Sequence, residues 1–177
     1  MILIVDMNGR KDSLGVSEFV KPISAIAGES TVVHYREADA DSAEGHSRII
    51  LSGAPLRDNG YMDEIGRFEW LKGCDKPVLG ICAGMQALAA AYGCALERCQ
   101  EIGMMEVETV MENPLFAGRF KAYGLHNFAV KPTGDFDVLA KSDRCAQAIR
   151  HVKKPTYGVL FHPEARNNGI IERFAKL

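Results

Sequence analysis

The stretch that most constrains this chain runs from Pro77 to Gly93, PVLGICAGMQALAAAYG. It opens as a short apolar run, Val78-Leu79-Gly80-Ile81, bounded by Pro77, which suits a buried parallel strand. It closes as a run of strong helix formers, Met85 to Ala91, followed by Gly93 where a helix C-terminus favours glycine. Between the two halves, Cys82 is flanked by Gly80 and Gly84 in a G-x-C-x-G pattern. That is the cysteine counterpart of a strand-to-helix elbow, a sharp turn that presents a nucleophile. Small residues on both sides let the backbone turn tightly and leave room for a substrate. The helix N-terminus after the turn favours thiolate over thiol. Its free N–H groups, Ala83 first, can hold a developing oxyanion.

Two plainer readings compete. A cysteine is often a small buried hydrophobe, but a packing cysteine does not require glycine on either side. The absence of charge between Lys76 and Glu97 also permits a membrane span. The interior glycines, Gln86 and the strand-like opening favour a core strand followed by a helix instead. Cys82 is therefore a candidate nucleophile that needs a base.

The rest of the chain predicts the setting. Ile2 to Asp6 reads as a buried first strand, Ser13 to Ala27 as a helix weakened or kinked at Pro22, and Thr31 to Tyr35 and Arg48 to Ser52 as the next strands. Tyr61 to Lys72 has helical spacing. Strands alternating with helices imply right-handed βαβ units and a doubly wound, mostly parallel sheet, with ligands outside the carboxyl ends of the strands. That rule brings the loop Ser52-Gly53-Ala54-Pro55 beside Cys82. Beyond the Cys82 helix, segments Glu97–Met111, Lys121–Pro132, Asp135–Lys141 and Cys145–Val152 read as strands of a partly antiparallel extension. His126, in one of them, reads first as a satisfied structural histidine.

The base comes from the block Tyr157-Gly158-Val159-Leu160-Phe161-His162-Pro163-Glu164. A strand, Tyr157 to Phe161, ends at His162, and Glu164 follows two residues later with a stiffening proline between. A carboxylate so close to an imidazole can fix its tautomer and stabilise the imidazolium. With Cys82 it completes a nucleophile, base and orienter drawn from two distant segments. Gly169 to Leu177 reads as a closing helix.

At 177 residues the chain is expected to form one domain, 1–177, without linker or repeat. A formal charge of −2 gives no electrostatic case for nucleic acid or an anionic membrane. Asp6 interrupts the apolar start too early for a signal peptide. Five cysteines without CxxC spacing suggest neither a disulfide framework nor a zinc site, so no metal is expected and Cys74, Cys94, Cys99 and Cys145 read as packing or surface residues. A reduced, cytoplasmic setting follows by default.

GICAGMQ, the SGAP loop and YGVLFHPE together resemble the class I (triad) glutamine amidotransferases, and the resemblance runs from Met1 to Leu177. Within that family the chain is most similar to the separate glutaminase subunit of archaeal GMP synthase, on the segments Phe136–Ser142, Gln147–His151 and Phe174–Leu177. The resemblance implies a flavodoxin-like α/β fold with helices on both faces, no cofactor, and hydrolysis of L-glutamine to glutamate and ammonia. It implies Cys82, His162 and Glu164 as the triad, and an oxyanion site from Ala83 N–H and the Gly53-Ala54 loop. Gln86 matches a position that contacts glutamine. Leu125-His126-Asn127 matches a stretch that lines the glutamine site or meets a partner chain.

Departures from the family pattern are Ala54 for the second glycine of SGGP, Ala83 and Met85 in the elbow, and Leu160 for glutamine. Leu125-His126-Asn127-Phe128 stands where Ser-His-x-Asp is usual in GMP synthases, and Arg166-Asn167 where His-Thr is usual. Ala54 would be strained if its loop requires positive φ. No G-x-x-x-x-G-K-[ST] or SGGxDS pattern occurs, so activation of the ammonia acceptor falls to an ATP-dependent synthetase on another chain. The alternatives are a divergent amidotransferase with another acceptor, a stand-alone γ-glutamyl hydrolase, and a non-catalytic subunit.

Overall fold

A computed structural model describes residues 1–177. The strands are β1 (Ile2–Asp6), β2 (Ser30–His34), β3 (Arg48–Leu51), β4 (Val78–Ile81), β5 (Ala95–Thr109), β6 (Arg119–Lys131), β7 (Phe136–Lys141), β8 (Ala146–His151) and β9 (Thr156–Val159). The helices are α1 (Lys21–Ala27), α2 (Ala83–Ala91) and α3 (Gly169–Phe174). All nine strands form one sheet in the order β2-β1-β3-β4-β9-β8-β7-β5-β6. The first five in that order pair in parallel, and from β9 outward every pairing is antiparallel. The parallel half has the 2-1-3-4-5 order of flavodoxin-like folds, with β9 as the fifth strand.

Alternation along β1 divides the core. Ile2 and Ile4 face one side with α1 and α3, packing on Ile23, Ile170, Ile171 and Phe174. Leu3 and Val5 face the other, with Phe68, Leu71, Ala87 and Leu88. Strands buried on both faces explain the unbroken apolar runs of β1 and β4. A third cluster, with Met85, Ala89, Ile149 and Leu160, seats α2 on the antiparallel extension. No helix is long and apolar enough to cross a membrane.

Three local readings change. The single helix expected from Ser13 to Ala27 is a π-helical turn, Val16–Val20, running into α1. Pro22 lies in the first turn of α1, where its missing N–H has no intrahelical acceptor to lose. The stretch Gly60–Gly73 is 3₁₀-helical and broken at Glu64, with φ −120°. The strand expected to reach Phe161 stops at Val159, which leaves His162 on a turn rather than at a strand end.

Candidate active site

Ile81 ends β4 and Ala83 begins α2, so Cys82 alone makes the change of direction, at φ 48° and ψ −105°. Positive φ is uncommon in a non-glycine residue, and it is a strain that elbows carry to expose a nucleophile. The flanking glycines are demanded by contact. A Cβ on Gly84 would lie 2.4 Å from the Leu51 carbonyl oxygen, and one on Gly80 2.6 Å from Met85 N. In both cases the obstacle includes backbone, so the tight turn exists only because those two side chains are absent.

The turn is tied into the sheet. Cys82 N donates to Val159 O at 2.8 Å and Gly84 N to Ser52 O at 3.1 Å. Ser52 Oγ accepts from Met7 N at 3.1 Å and donates to Gly53 O at 2.8 Å. The carboxyl ends of β1, β3, β4 and β9 are thereby fastened to one another around the sulfur.

His162 and Glu164 are brought to the same place. His162 N donates to Tyr123 O at 2.9 Å, and its Nδ1 lies 2.7 Å from Glu164 Oε1. Both side chains are almost wholly buried, and Nε2 of the imidazole has no hydrogen-bond partner. The Phe19 ring packs at 5.3 Å from the imidazole centroid, and a Cβ on Gly53 would lie 2.7 Å from its Cε1. Burial acts to lower the imidazole pKa, but the neighbouring Cys82 sulfur and then Glu164 outweigh it and hold the pKa well above the usual 6.5. The Cys82 thiol itself points to Leu125 O at 3.5 Å.

Beside the sulfur lies a crevice lined by residues that include Ala54, Tyr61, Ala83, Gln86, His126 and Asn127. The N–H groups of Ala54 and Ala83 donate to no acceptor in the fold, which suits an oxyanion site. Ala54 does not have positive φ, so the strain expected from replacing a glycine there does not arise. Gln86 is committed at both ends: Tyr61 Oη donates to its Oε1, and its Nε2 donates to Phe128 O at 2.7 Å. His126 Nδ1 is 3.0 Å from Cys99 O, and Nε2 faces Glu101.

Sequence reasoning missed Tyr61, Phe19, Tyr123 and the closing role of Asn127. Tyr61 reads in sequence as one more apolar helix position; its hydroxyl is pushed far up in pKa, first by burial and then by Cys82. Asn127 Nδ2 donates to Leu56 O at 3.2 Å and clamps the loop after β3 across the mouth. The crevice keeps only about 10 Å³ of free space, room for a single water.

The family model for glutamine amidotransferase class-I matches residues 17–170. The chain is a class-I glutamine amidotransferase. Among its relatives, this amidotransferase is 34% identical to the glutamine-hydrolyzing subunit of GMP synthase from Methanopyrus kandleri, over 100% of this chain and 98% of that protein. It is 30% identical to the corresponding GMP synthase subunit from Pyrococcus furiosus, with the same coverage of both chains. Among solved structures, a protein described as a GMP synthase subunit from Thermoplasma acidophilum superposes with a TM-score of 0.83, covering 99% of this chain and 92% of that one at 22% identity. A glutamine amidotransferase of Thermotoga maritima gives 0.70, covering 93% and 76% at 20% identity. At those identities the structural likeness speaks to the fold, which is that of the family.

Proposed function

We propose that this amidotransferase hydrolyses L-glutamine with Cys82 as nucleophile, His162 as proton carrier and Glu164 as orienter, and delivers the ammonia to a separate ATP-dependent GMP synthase subunit. The observation that carries the chemistry is the buried imidazole held at Nδ1 by Glu164, with an unpartnered Nε2 beside a cysteine at positive φ.

Sγ attacks Cδ of the glutamine side chain as its proton passes to His162 Nε2. The tetrahedral oxyanion is held by the N–H groups of Ala83 and Ala54. His162 returns the proton to the departing nitrogen, which leaves as ammonia, and a γ-glutamyl thioester remains on Cys82. A water, deprotonated by His162, then attacks the thioester; glutamate leaves and the thiol is restored. Glu164 keeps the Nδ1 hydrogen in place throughout and balances the imidazolium charge. Gln86, held by Tyr61 and Phe128, and His126 shape the wall of the glutamine site.

The choice of acceptor rests on the two relatives matched over essentially their whole length, both described as the glutamine-hydrolyzing subunit of GMP synthase. The test is to mix the chain with a synthetase subunit of archaeal GMP synthase, ATP, xanthosine monophosphate and glutamine. Glutamine-dependent GMP formation that is lost in Cys82→Ala but rescued by ammonium is expected. Glutamine turnover without any GMP would keep the glutaminase and point to another acceptor. Turnover of larger γ-glutamyl amides without a partner would favour a stand-alone hydrolase.

A further inference from the structure

The antiparallel extension holds a second cluster of reactive side chains next to the crevice. β5 is bulged: Arg98 pairs with Phe128 and Glu101 with His126, so Cys99 and Gln100 together oppose Asn127 alone. A bulge re-aims side chains. Here it gathers Cys99 and Glu101 with Cys145, the residue that leads into β8. The two sulfurs and a Glu101 carboxylate oxygen all lie within 4.8 Å of one another. From β6, His126 places Nε2 at 3.2 Å from Glu101 Oε2, with its side chain fully buried.

The hydrogen bonding fixes the histidine tautomer. Nδ1 lies 3.0 Å from the Cys99 carbonyl, which can only accept, so Nδ1 carries the hydrogen. In the neutral ring Nε2 is then a bare lone pair, and it faces a carboxylate oxygen without any donor between them. Metal-bound histidines have this arrangement, with the remote N–H donated to a backbone carbonyl. The carboxylate is oriented in turn: buried Gln147 donates Nε2 to Glu101 Oε2 at 2.6 Å, and Cys145 Sγ lies 3.3 Å from the same oxygen.

We propose that Cys99, Glu101, His126 and Cys145 form a tetrahedral site for a borderline-soft divalent cation, Zn²⁺ before others. With metal–donor bonds of about 2.0–2.3 Å, donors around a tetrahedral ion stand roughly 3.3–3.8 Å apart. The measured separations bracket that range, and small rotamer adjustments close it. Two sulfurs and an imidazole select against Mg²⁺ and Ca²⁺, which prefer oxygen alone. The ion would bridge β5, β6 and the turn before β8. It would also brace the crevice wall, because His126 lines the crevice and the adjacent Leu125 carbonyl accepts from Cys82. It takes no part in the proposed glutamine chemistry, so the two readings stand or fall separately.

The test uses the full chain carrying Cys82→Ala, which removes the nucleophilic thiol from the readout. Chelator-stripped protein is titrated under reducing conditions with Co²⁺, then with Zn²⁺. Stoichiometric sulfur-to-Co²⁺ charge-transfer absorption with intense tetrahedral d–d bands, displaced by Zn²⁺, is expected. It should vanish in Cys99→Ser and in Cys145→Ser, and Gln147→Ala should bind roughly 10–100-fold more weakly, as loss of an outer-shell partner does. No charge-transfer absorption, or absorption unchanged in the serine variants, overturns the site. If those variants do not fold, zinc-edge X-ray absorption of the unsubstituted ligand set decides: two sulfur neighbours support the site, and none or one overturns it.

Discussion

His162 Nδ1 and Glu164 Oε1 meet at 2.7 Å although only Pro163 separates the two residues in sequence. The short loop brings the carboxylate back onto the ring, and both side chains are excluded from water. Glu164→Gln keeps the shape and removes the charge. The variant should lose glutaminase kcat by on the order of 10⁴-fold with little change in KM, as loss of the orienting carboxylate does in related triads. Steady-state kinetics on the purified variant checks this.

The same variant changes the proton affinity of His162 in a direction that can be signed. Burial lowers the pKa, while Cys82 and then Glu164 raise it, and the raising side wins. Losing the carboxylate must therefore lower it, and losing the sulfur in Cys82→Ala must lower it further. A group raised in the folded state contributes stability fully below its unfolded value, near 6.5, and loses it as pH rises through the folded value. The loss should begin at lower pH in both variants. NMR titration of the His162 ring resonances measures the shift; an unmoved pKa in Cys82→Ala would remove the sulfur from its assigned place.

Cys82→Ala should abolish hydrolysis, by on the order of 10⁶-fold as for removal of other essential nucleophiles. It should not unfold the chain. Alanine at φ 48° keeps the backbone strain, and only one small side chain is lost from the core. Glutamine turnover and thermal melts on the same preparation test both halves.

The glycines separate stability from catalysis. Gly84→Ala drives a Cβ to 2.4 Å from a backbone oxygen that β3 holds in place. A cost of about 2–4 kcal/mol follows from forced overpacking, with Tm falling about 2–4 °C for each kcal/mol. Gly53→Ala instead pushes on the edge of the His162 imidazole, at 2.7 Å from Cε1. It should lower kcat far more than Tm. Melting curves beside kinetics for the pair would show whether the two effects part.

Much of this architecture was legible in the sequence because its signals are local. The apolar runs of β1 and β4, the paired glycines around Cys82 and the Tyr157–Glu164 block each depend on neighbours a few residues away. The departures came where the outcome depends on distant partners. Pro22 signals a kink but not that a π-helical turn precedes it, and Ala54 reads as strained only until its loop is seen without positive φ. Cys99 and Cys145 lack metal-ligand spacing, and only the β5 bulge and the β7–β8 turn unite them with Glu101. Tyr61 and Asn127 shape the crevice through bonds to Gln86 and Leu56, contacts made by the fold and invisible to periodicity.

Asn127 offers the most direct handle on access to the sulfur. Its Nδ2 donates to Leu56 O and its Oδ1 accepts from Gln100 at 2.6 Å, so it ties β6 both to β5 and to the loop across the crevice. With about 10 Å³ free, glutamine enters only when that loop and the Leu125–Phe128 segment part. Removing the bond to Leu56 eases the parting by about 1 kcal/mol, the net worth of an ordinary hydrogen bond, or about fivefold in the open population. Asn127→Ala should therefore raise the rate at which a glutamine-analogue chloroketone labels Cys82 in the isolated chain by about that factor. Tryptic mass spectrometry of the time course, with excess glutamine as competitor, measures it. An unchanged labelling rate would mean that the loop opens without breaking this bond.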